Sequence, residues 1–401
     1  MTGLKRTIGL PLLLFYGLGN ILGAGIYVLI GKVAGEAGMY VPLAFFTASV
    51  VAGFSAFTYS ELSARYPLSA GEAVYIDEGF QLTGLSRLTG LLIACAGMVS
   101  AATISRGFYG YFSIFLPLPE LLVVAGIILL LGLLTIWGIS QSVTVAASLT
   151  VIEVAGLFLV IWAGSDVLAT LPVQIDTLVP PLKSSALVGI VLGSFLAFFA
   201  FIGFEDMVNI AEEVKNPSRN LPAAILLALL IATLMYASVS LVAVLSVDQD
   251  TLSASNAPLA DVLAATSDIN PRIISLISMI AIVNGALIQI IMASRLFYGM
   301  AKKGWIWHQL GKVDARTQTP VTATVLVVVM TLGLALWFPL ETLAKGTSYL
   351  VLVVFSLVNA ALVLIKRVQP FSEGSINNPV WVPVTGFITC IGLLVFQLCS
   401  G

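Results

Sequence analysis

The chain has 401 residues, of which 59% are hydrophobic and only 9% are charged, and its formal net charge is −2. Soluble domains carry about 25% charged residues, so this composition predicts a helical protein that crosses a membrane many times. The near-neutral charge and the lack of a basic tract exclude a protein that binds nucleic acid. The three cysteines lie in apolar runs and the single histidine in a polar loop, so the sequence predicts no disulfide framework, no metal site and no cofactor.

Apolar runs of about 20 residues mark membrane helices. The sequence contains eleven such runs, which predicts an all-α polytopic membrane protein embedded in the lipid bilayer. The predicted spans are 8–31, 39–64, 86–116, 119–139, 143–165, 186–212, 221–247, 272–301, 320–338, 344–365 and 379–399. With the N-terminus inside, 13 of the 18 Lys and Arg residues fall on the inner side and 5 on the outer side. Because Lys and Arg concentrate on the cytoplasmic side, we expect a cytoplasmic N-terminus and an outer C-terminus. The location predicted is a cell membrane, inner or plasma.

Two connections between spans have recognisable character. The outer connection 248–271 contains LADVLAAT, for which we expect a short helix on the outer surface. The inner connection 66–85 is long and mixed, which predicts an interfacial segment. Glu61 and Arg65, at the inner end of the second span, are interpreted as solvated helix-end residues.

The first span carries three glycines at its middle, in GNILGAGIY, residues 19–27. Glycine costs about 1 kcal/mol relative to alanine inside a helix. Either another helix packs closely against Gly19-x-x-x-Gly23 or the helix breaks here. The sixth span favours the second reading, because it carries Gly203 at mid-span, followed by Glu205 and Asp206. A carboxylate within a membrane helix costs roughly 3 kcal/mol and is usually functional.

The two glycine-interrupted spans lie five helices apart, which points to a transporter built from two inverted repeats. The predicted units are a first repeat over residues 1–166 (helices 1–5), a second over 185–367 (helices 6–10) and an extra helix over 377–401. Unwinding at residues 22–25 would free amides at the N-terminus of the outer half-helix, and these suit a carboxylate. Carbonyl groups that end the neighbouring half-helices suit an ammonium group. One site for both charges predicts an amino acid as the substrate.

Four stretches in order resemble the amino acid–polyamine–organocation superfamily over nearly the whole chain. These are GLGNILGAGIY in helix 1, ELSARYPLSAGEAVYIDEGF (61–80) after helix 2, FFAFIGFEDMVNIAEEVKNPSRNLP (198–222) around helix 6, and ASRLFYGMAKKG (293–304) at the end of helix 8. The resemblance implies the five-plus-five inverted-repeat, LeuT-type transporter fold with broken helices 1 and 6. Members usually have twelve spans. This chain stops after eleven, which leaves the oligomeric state open.

The resemblance also implies positions for the substrate. The substrate carboxylate falls on the amides of Ala24, Gly25 and Ile26, and the ammonium on carbonyl groups near Ile21, Phe199 and Ala200. Ile202 would face the substrate side chain, which favours a small or apolar substrate, whereas Glu205 favours a cationic one. The candidate substrate-binding residues are Ile21, Gly23, Ala24, Gly25, Ile26, Phe199, Ala200, Ile202 and Glu205.

Glu153 is the only charged residue of the fifth span. By resemblance it takes the position of a lysine whose protonation replaces a bound cation in several proton-coupled relatives. Our hypothesis is that Glu153 or Glu205 carries a proton with the substrate. The alternative for Glu153 is a structural carboxyl group bonded to broken helix 1. Sodium coupling is less favoured, because Glu153 lies beside the region where related proteins hold sodium.

These observations predict a secondary active transporter that moves amino acids by alternating access, with proton symport favoured. Amino acid exchange and the transport of polyamines or amines are the alternatives. A channel is less favoured, because no repeated pore-lining motif is visible. The chain is not expected to be an enzyme, because it lacks a clustered nucleophile, metal or paired-acid motif.

Overall fold

The computed structural model describes residues 6–23, 25–68, 71–137, 143–181, 184–314, 317, 319–372 and 376–400, and these are almost entirely helical. The α-helices are α1 (Leu10–Leu22), α2 (Gly25–Ala37), α3 (Val41–Arg65), α4 (Gly71–Phe80), α5 (Thr83–Phe112), α6 (Glu120–Trp137), α7 (Val143–Ala163), α8 (Ser165–Ala169), α9 (Leu171–Leu178), α10 (Ser184–Phe198), α11 (Pro217–Ser246), α12 (Gln249–Ala254), α13 (Pro258–Thr266), α14 (Arg272–Lys302), α15 (Val321–Trp337), α16 (Leu340–Val368) and α17 (Trp381–Ser400). Short 3₁₀ helices cover Gly38–Tyr40, Phe199–Phe201, Glu205–Glu213 and His308–Gly311. The predicted all-α class is confirmed.

Within the described residues, nine helical stretches are long and apolar enough to cross a membrane. The first stretch, Leu10–Arg65, has 56 residues and covers nearly all of the first predicted span and the whole of the second. Val321–Trp337 is apolar but shorter. Helices α6 and α7 expose large apolar side chains such as Leu133 and Trp162, as expected of helices that face lipid. The chain is a multi-span membrane protein, while the count of eleven spans and the boundaries of the two repeats stay predictions.

The first span is broken where its glycines cluster. Helix α1 ends at Leu22, and the amide of Gly23 still closes its last turn onto the carbonyl of Gly19 at 2.9 Å. Helix α2 begins at Gly25, and Ala24 lies outside the described residues. Helix α1 packs against α7 and α11, whereas α2 packs against α10. The two halves of this span therefore have different neighbours.

The second break follows α10. A 3₁₀ turn over Phe199–Phe201 leads to Ile202, which is extended with φ −66° and ψ 137°. Gly203 then has φ +127°, a region that is essentially open to glycine alone. The chain resumes as the 3₁₀ helix Glu205–Glu213. The prediction of two broken helices is confirmed. In the second one, Gly203 adopts the positive φ at which the helix is interrupted.

The two breaks lie in direct backbone contact. A Cβ atom placed on Gly203 would lie 2.8 Å from both the carbonyl carbon and the carbonyl oxygen of Asn20 in α1. A Cβ atom on Gly25 would overlap the Cα atom of Ala200. Real Cβ atoms do not approach backbone atoms this closely, so both glycines are required by the contact between the broken helices.

The segment before α1 pairs with the segment that follows the second broken helix. Ile8 forms a parallel bridge with Val214. The amides of Thr7 and Ile8 donate to the carbonyl of Glu213 at 2.9 and 3.1 Å, and the amide of Lys215 donates to the carbonyl of Ile8 at 2.8 Å. The start of the first broken span and the end of the second are therefore joined by main-chain hydrogen bonds.

Both predicted connecting segments pack one face against the protein and expose the other. Helix α4 packs against α5 and α16 and buries Glu72, Tyr75 and Ile76, while Asp77 and Glu78 are exposed, so the interfacial interpretation of 66–85 stays a prediction. The predicted helix in LADVLAAT is present as α13, but its Leu259 and Leu263 are fully buried. The apolar face of α13 is buried because other helices cover it. These helices are α2, α7, α11 and α14.

Glu61 and Arg65 are buried, so their interpretation as solvated residues was wrong. Glu61 forms ion pairs of 2.7 Å with Arg65 and with Lys366 of α16. It also accepts the amide of Asn378 at 2.8 Å. The carboxylate is satisfied by two cations and one amide, which is what a buried charge requires.

Candidate functional site

Tyr236 of α11 connects the two breaks. Its hydroxyl oxygen lies 2.7 Å from the carbonyl oxygen of Ile21 and 2.9 Å from that of Ala200. Both carbonyl groups belong to the last turn before a break. The helix does not continue beyond that turn, so it supplies no amide to bond to them. The hydroxyl has one hydrogen and therefore serves one carbonyl group at a time. The tyrosine is fully buried, so it provides a hydrogen bond where water is excluded.

A small cavity lies beside the second break. Residues of α3, α4, α5, the second broken span, α14 and α16 surround it. Its apolar lining is Ile93, Ala96, Gly97, Ile202, Met292, Val351, Val354 and Phe355, and its polar lining is Tyr59, Glu72, Ser100, Glu205, Asp206, Gln289 and Thr347. Three of these side chains are carboxyl groups, and within the described part of the chain no Lys or Arg lines the cavity. The cavity is thus suited to a molecule that is partly apolar and carries positive charge.

Glu205 and Asp206 are neighbours in sequence but have different partners. The Oε2 atom of Glu205 accepts the amide of Gly203 at 2.8 Å. The Oδ2 atom of Asp206 accepts Nδ2 of Asn20 at 3.3 Å and Nε2 of Gln289 at 3.2 Å. Asn20 also lies 3.4 Å from the carbonyl oxygen of Gly203. Asp206 therefore joins the first broken span, the second broken span and α14.

Glu72 reaches the same cavity from α4, outside the membrane-spanning helices. The residue is buried, with 3% of its surface exposed, and the hydroxyl of Tyr59 donates to its Oε1 atom at 3.4 Å. Burial, which penalises the charged form, raises the pKa of Glu72 from 4.5 to about 8.

Glu153 lies elsewhere, at the contact of α7 with α1 and α14. Its Oε1 atom accepts Nδ2 of Asn284 at 2.9 Å, while Oε2 has no hydrogen-bond partner among the described atoms. The hydroxyl of Tyr27 donates to its main-chain carbonyl at 2.7 Å. One turn earlier, Thr150 packs against Gly19 of α1. Glu153 is fully buried and does not line the cavity.

The structure brings the sequence-predicted site residues to the two breaks. Gly25 packs on Ala200, and the carbonyl of Phe199 accepts the amide of Ile202 at 3.2 Å. Among the predicted residues that the structure describes, only Ile202 and Glu205 line the cavity. Ala24 lies outside the described residues. The buried members of the set are Ile21, Gly23, Gly25, Ile26, Phe199, Ala200, Ile202 and Glu205.

Three residues of this region are not among the predicted site residues. Asp206 carried the same signal as Glu205, a carboxylate inside a membrane span. Glu72 was assigned to a surface segment, so its burial was not expected. Tyr236 is one of eleven tyrosines, and nothing in its local sequence indicates a contact with either break.

Comparisons with known proteins identify the family and the fold. Residues 8–400 match the profile of the amino acid permease family. The chain is 31% identical to cationic amino acid transporter 4, vacuolar, of Arabidopsis thaliana over 88% of its own length and 62% of the plant protein, so it spans about three fifths of that relative. It is 27% identical to the branched-chain amino acid permease BcaP of Bacillus subtilis strain 168, over 99% of this chain and 93% of that protein.

A solved structure supports the fold. The chain matches the crystal structure of MhsT in complex with L-phenylalanine with a TM-score of 0.70 over the whole of both chains, at 14% identity. At this identity the match concerns the fold alone, which is the LeuT-type fold with two broken helices. The family profile covers nearly the whole chain. The chain belongs to the amino acid permease family of the amino acid–polyamine–organocation superfamily.

Proposed function

We propose that the chain is a secondary active transporter that carries amino acids across the cell membrane by alternating access. The observation that carries this proposal is the meeting of two broken helices beside a cavity lined by carboxyl groups. Irregular backbone at membrane depth is tolerated where it lines a cavity, and transporters bind their substrates at such discontinuous helices. The names of the relatives, a cationic amino acid transporter and a branched-chain amino acid permease, support the same substrate class.

The first turn of α2 supplies the proposed site for the substrate carboxylate. Helix α2 begins at Gly25, so the amides of Gly25 and Ile26 have no partner within the helix. The positive end of the helix dipole lies at the same point. The carbonyl groups of Ile21 and Ala200 are the proposed partners of the α-ammonium group. Each carbonyl oxygen has two lone pairs and can accept from the substrate as well as from Tyr236.

The cavity leaves two classes of side chain open. Ile202 and the apolar lining suit a branched or apolar side chain, whereas Glu72, Glu205 and Asp206 suit a cationic one. The same carboxyl groups support the second candidate function, transport of a polyamine or another amine. Such a substrate lacks the carboxylate for which the α2 amides are proposed.

Proton symport is the proposed mode of coupling, with Glu153 as the proton carrier. The support is that Glu153 is buried and that its Oε2 atom has no hydrogen-bond partner among the described atoms. That oxygen is free to bind a proton, whereas a carboxylate in an ion pair favours the charged form. Sodium is less favoured and obligatory exchange is the alternative. We also propose a cytoplasmic N-terminus and an outer C-terminus, on the 13-to-5 distribution of Lys and Arg.

The test is uptake of individual labelled amino acids into proteoliposomes that contain the purified protein. Each is measured with an inside-alkaline pH gradient, with a sodium gradient, and with unlabelled amino acid preloaded inside. Saturable, stereoselective accumulation driven by the pH gradient is the expected result, and protein-free liposomes are the control. Uptake only into preloaded vesicles would replace symport with exchange. The absence of amino acid uptake under all three conditions, with uptake of labelled polyamine, would contradict the amino acid assignment.

A further inference from the structure

Glu205 satisfies a peptide group that the second break leaves without a partner. In a continuous helix the amide of Gly203 would bond to the carbonyl of Phe199, but that carbonyl accepts the amide of Ile202 instead. The Oε2 atom of Glu205 accepts the Gly203 amide at 2.8 Å. An unpaired buried amide would cost free energy comparable to a lost hydrogen bond. The Glu205 carboxyl therefore has a structural task that an uncharged acceptor would fulfil equally well.

Asp206 is held in a different way. Two neutral carboxamides, from Asn20 of α1 and Gln289 of α14, donate to its Oδ2 atom at 3.3 and 3.2 Å. Neutral donors orient a carboxylate without neutralising its charge. The ion pairs formed by the described residues do not include Asp206. A buried carboxylate of this kind lacks the compensating positive charge that buried charges normally have.

Asp206 also faces the space where such a charge can enter. It is 3% exposed and lines the cavity beside the second break together with Gln289 and Ile202. Three parts of the chain therefore build one site beside the cavity. Helix α1 supplies Asn20, the second broken span supplies Asp206, and α14 supplies Gln289.

We infer that Asp206, and not Glu205, receives the cationic group of the substrate's side chain. Asn20 and Gln289 are positioning residues that aim the Asp206 carboxylate, while the α-ammonium group remains assigned to the carbonyl groups at the breaks. This inference rests on the proposed transport function and deepens it. It assigns the two adjacent carboxyl groups separate tasks: Glu205 caps the break, and Asp206 selects the substrate.

The test compares two isosteric variants, Asp206→Asn and Glu205→Gln. Each amide keeps an oxygen that can accept the existing hydrogen bond but removes the charge. Both are measured by counterflow in proteoliposomes preloaded with lysine or arginine, whichever the wild type takes up better, so that no ion gradient is needed. We expect Asp206→Asn to raise KM about tenfold or more, because a charge-assisted bond is lost, and to raise it at least about threefold more than Glu205→Gln does. A wild type that exchanges neutral amino acids but neither lysine nor arginine would overturn this inference.

A second comparison tests the positioning role. Gln289→Met keeps the length of the side chain and removes its donor, and we expect KM to rise about three- to tenfold with little change in kcat. Combined with Asp206→Asn, it is expected to add almost nothing, because residues of one network are not additive. Additive effects would contradict the positioning role.

The outcomes separate this inference from the proposed function. A wild type that performs no counterflow with any amino acid would overturn both. Wild-type counterflow with an unchanged KM in Asp206→Asn would overturn the assignment of Asp206 alone, even if that variant lost pH-driven accumulation. If Asp206→Asn does not fold, the pair Asp206→Glu and Glu205→Asp replaces it. Moving the Asp206 charge by one methylene must then raise KM more than moving that of Glu205, and the reverse order would overturn the assignment.

Discussion

The hydroxyl oxygen of Tyr236 lies 2.7 Å from the carbonyl oxygen of Ile21, although the two residues are 215 positions apart in sequence. The same hydroxyl lies 2.9 Å from the carbonyl oxygen of Ala200. A single side chain on an unbroken helix thus reaches both breaks. The relative position of the broken spans depends on it.

Replacing Tyr236 with Phe is expected to destabilise the protein by about 1–3 kcal/mol, because a buried carbonyl loses its donor. It should also change substrate affinity, because Ile21 and Ala200 are the proposed partners of the ammonium group. Thermal unfolding in detergent and the counterflow KM measure the two effects. Tyr111→Phe is the matched control, since its hydroxyl donates to the carbonyl of Tyr27 at 2.5 Å within an intact helix. It should lose comparable stability and keep its KM, and equal KM changes in both variants would contradict the prediction.

Glu153→Gln is expected to separate exchange from accumulation. Glutamine keeps an oxygen for the Nδ2 donor of Asn284 but cannot carry a proton at this position. Counterflow should remain within about threefold of the wild type, while accumulation driven by an inside-alkaline gradient should disappear. Both are measured in the same proteoliposome preparation. A variant that retains full pH-driven accumulation would show that Glu153 is structural.

Gly203→Ala is expected to prevent correct folding. Alanine does not adopt φ +127° without strain of roughly 1–3 kcal/mol, and its Cβ would lie 2.8 Å from main-chain atoms of Asn20, which cannot rotate away. The yield of monodisperse protein after solubilisation measures the effect. In the control Gly333→Ala, within α15, the added Cβ meets no described atom within 4 Å, so this helical site should gain up to about 1 kcal/mol. A stable, active Gly203→Ala protein would refute the close contact of the two breaks.

Glu72 is expected to make stability depend on pH. Its pKa is about 8 in the folded protein and 4.5 in the reference state, so the folded chain holds a proton that the unfolded chain releases between these values. The contribution is complete below about pH 4.5 and falls as the pH rises towards 8, with a limiting slope of about 1.4 kcal/mol per pH unit. Glu72→Gln should therefore flatten the decline of the melting temperature between about pH 5 and pH 8.

Glu78→Gln is the control for this measurement, because Glu78 lies on the exposed side of the same helix. It removes one carboxyl group without changing the buried one. Identical pH profiles for Glu72→Gln and the wild type would argue against the burial of a protonated Glu72.

The features that could be predicted from the sequence are those encoded locally. Apolar runs predict membrane helices, and Gly23, Gly25 and Gly203 predicted the breaks because glycine inside a span is costly unless the backbone needs it. The partner of each break could not be predicted in this way. The contact between Gly203 and Asn20 joins residues 183 positions apart, and it exists only after the spans have packed.

Burial of charge was the main error, and its cause is also non-local. Glu61 and Arg65 lie at a helix end, where charged side chains are ordinarily solvated. Lys366 and Asn378 arrive from the other end of the chain and enclose them. Glu72 was missed for the same reason, since α16 covers α4. A local pattern specifies where a helix ends but not what covers that end.

The pairing of Ile8 with Val214 has a mechanical consequence for the two half-spans that follow and precede it in the chain, α1 and Glu205–Glu213. Helix α1 and the segment Glu205–Glu213 are fastened together twice, by the main-chain hydrogen bonds at their bases and by Asn20 on Asp206 near the breaks. Two segments that are bonded to each other at both ends move together as one rigid unit. A tilt of α1 alone would have to break three main-chain bonds, at a net cost of about 0.5–1.5 kcal/mol each. A joint movement of both half-spans about Gly23 and Gly203 would therefore keep bonds that a tilt of α1 alone would break.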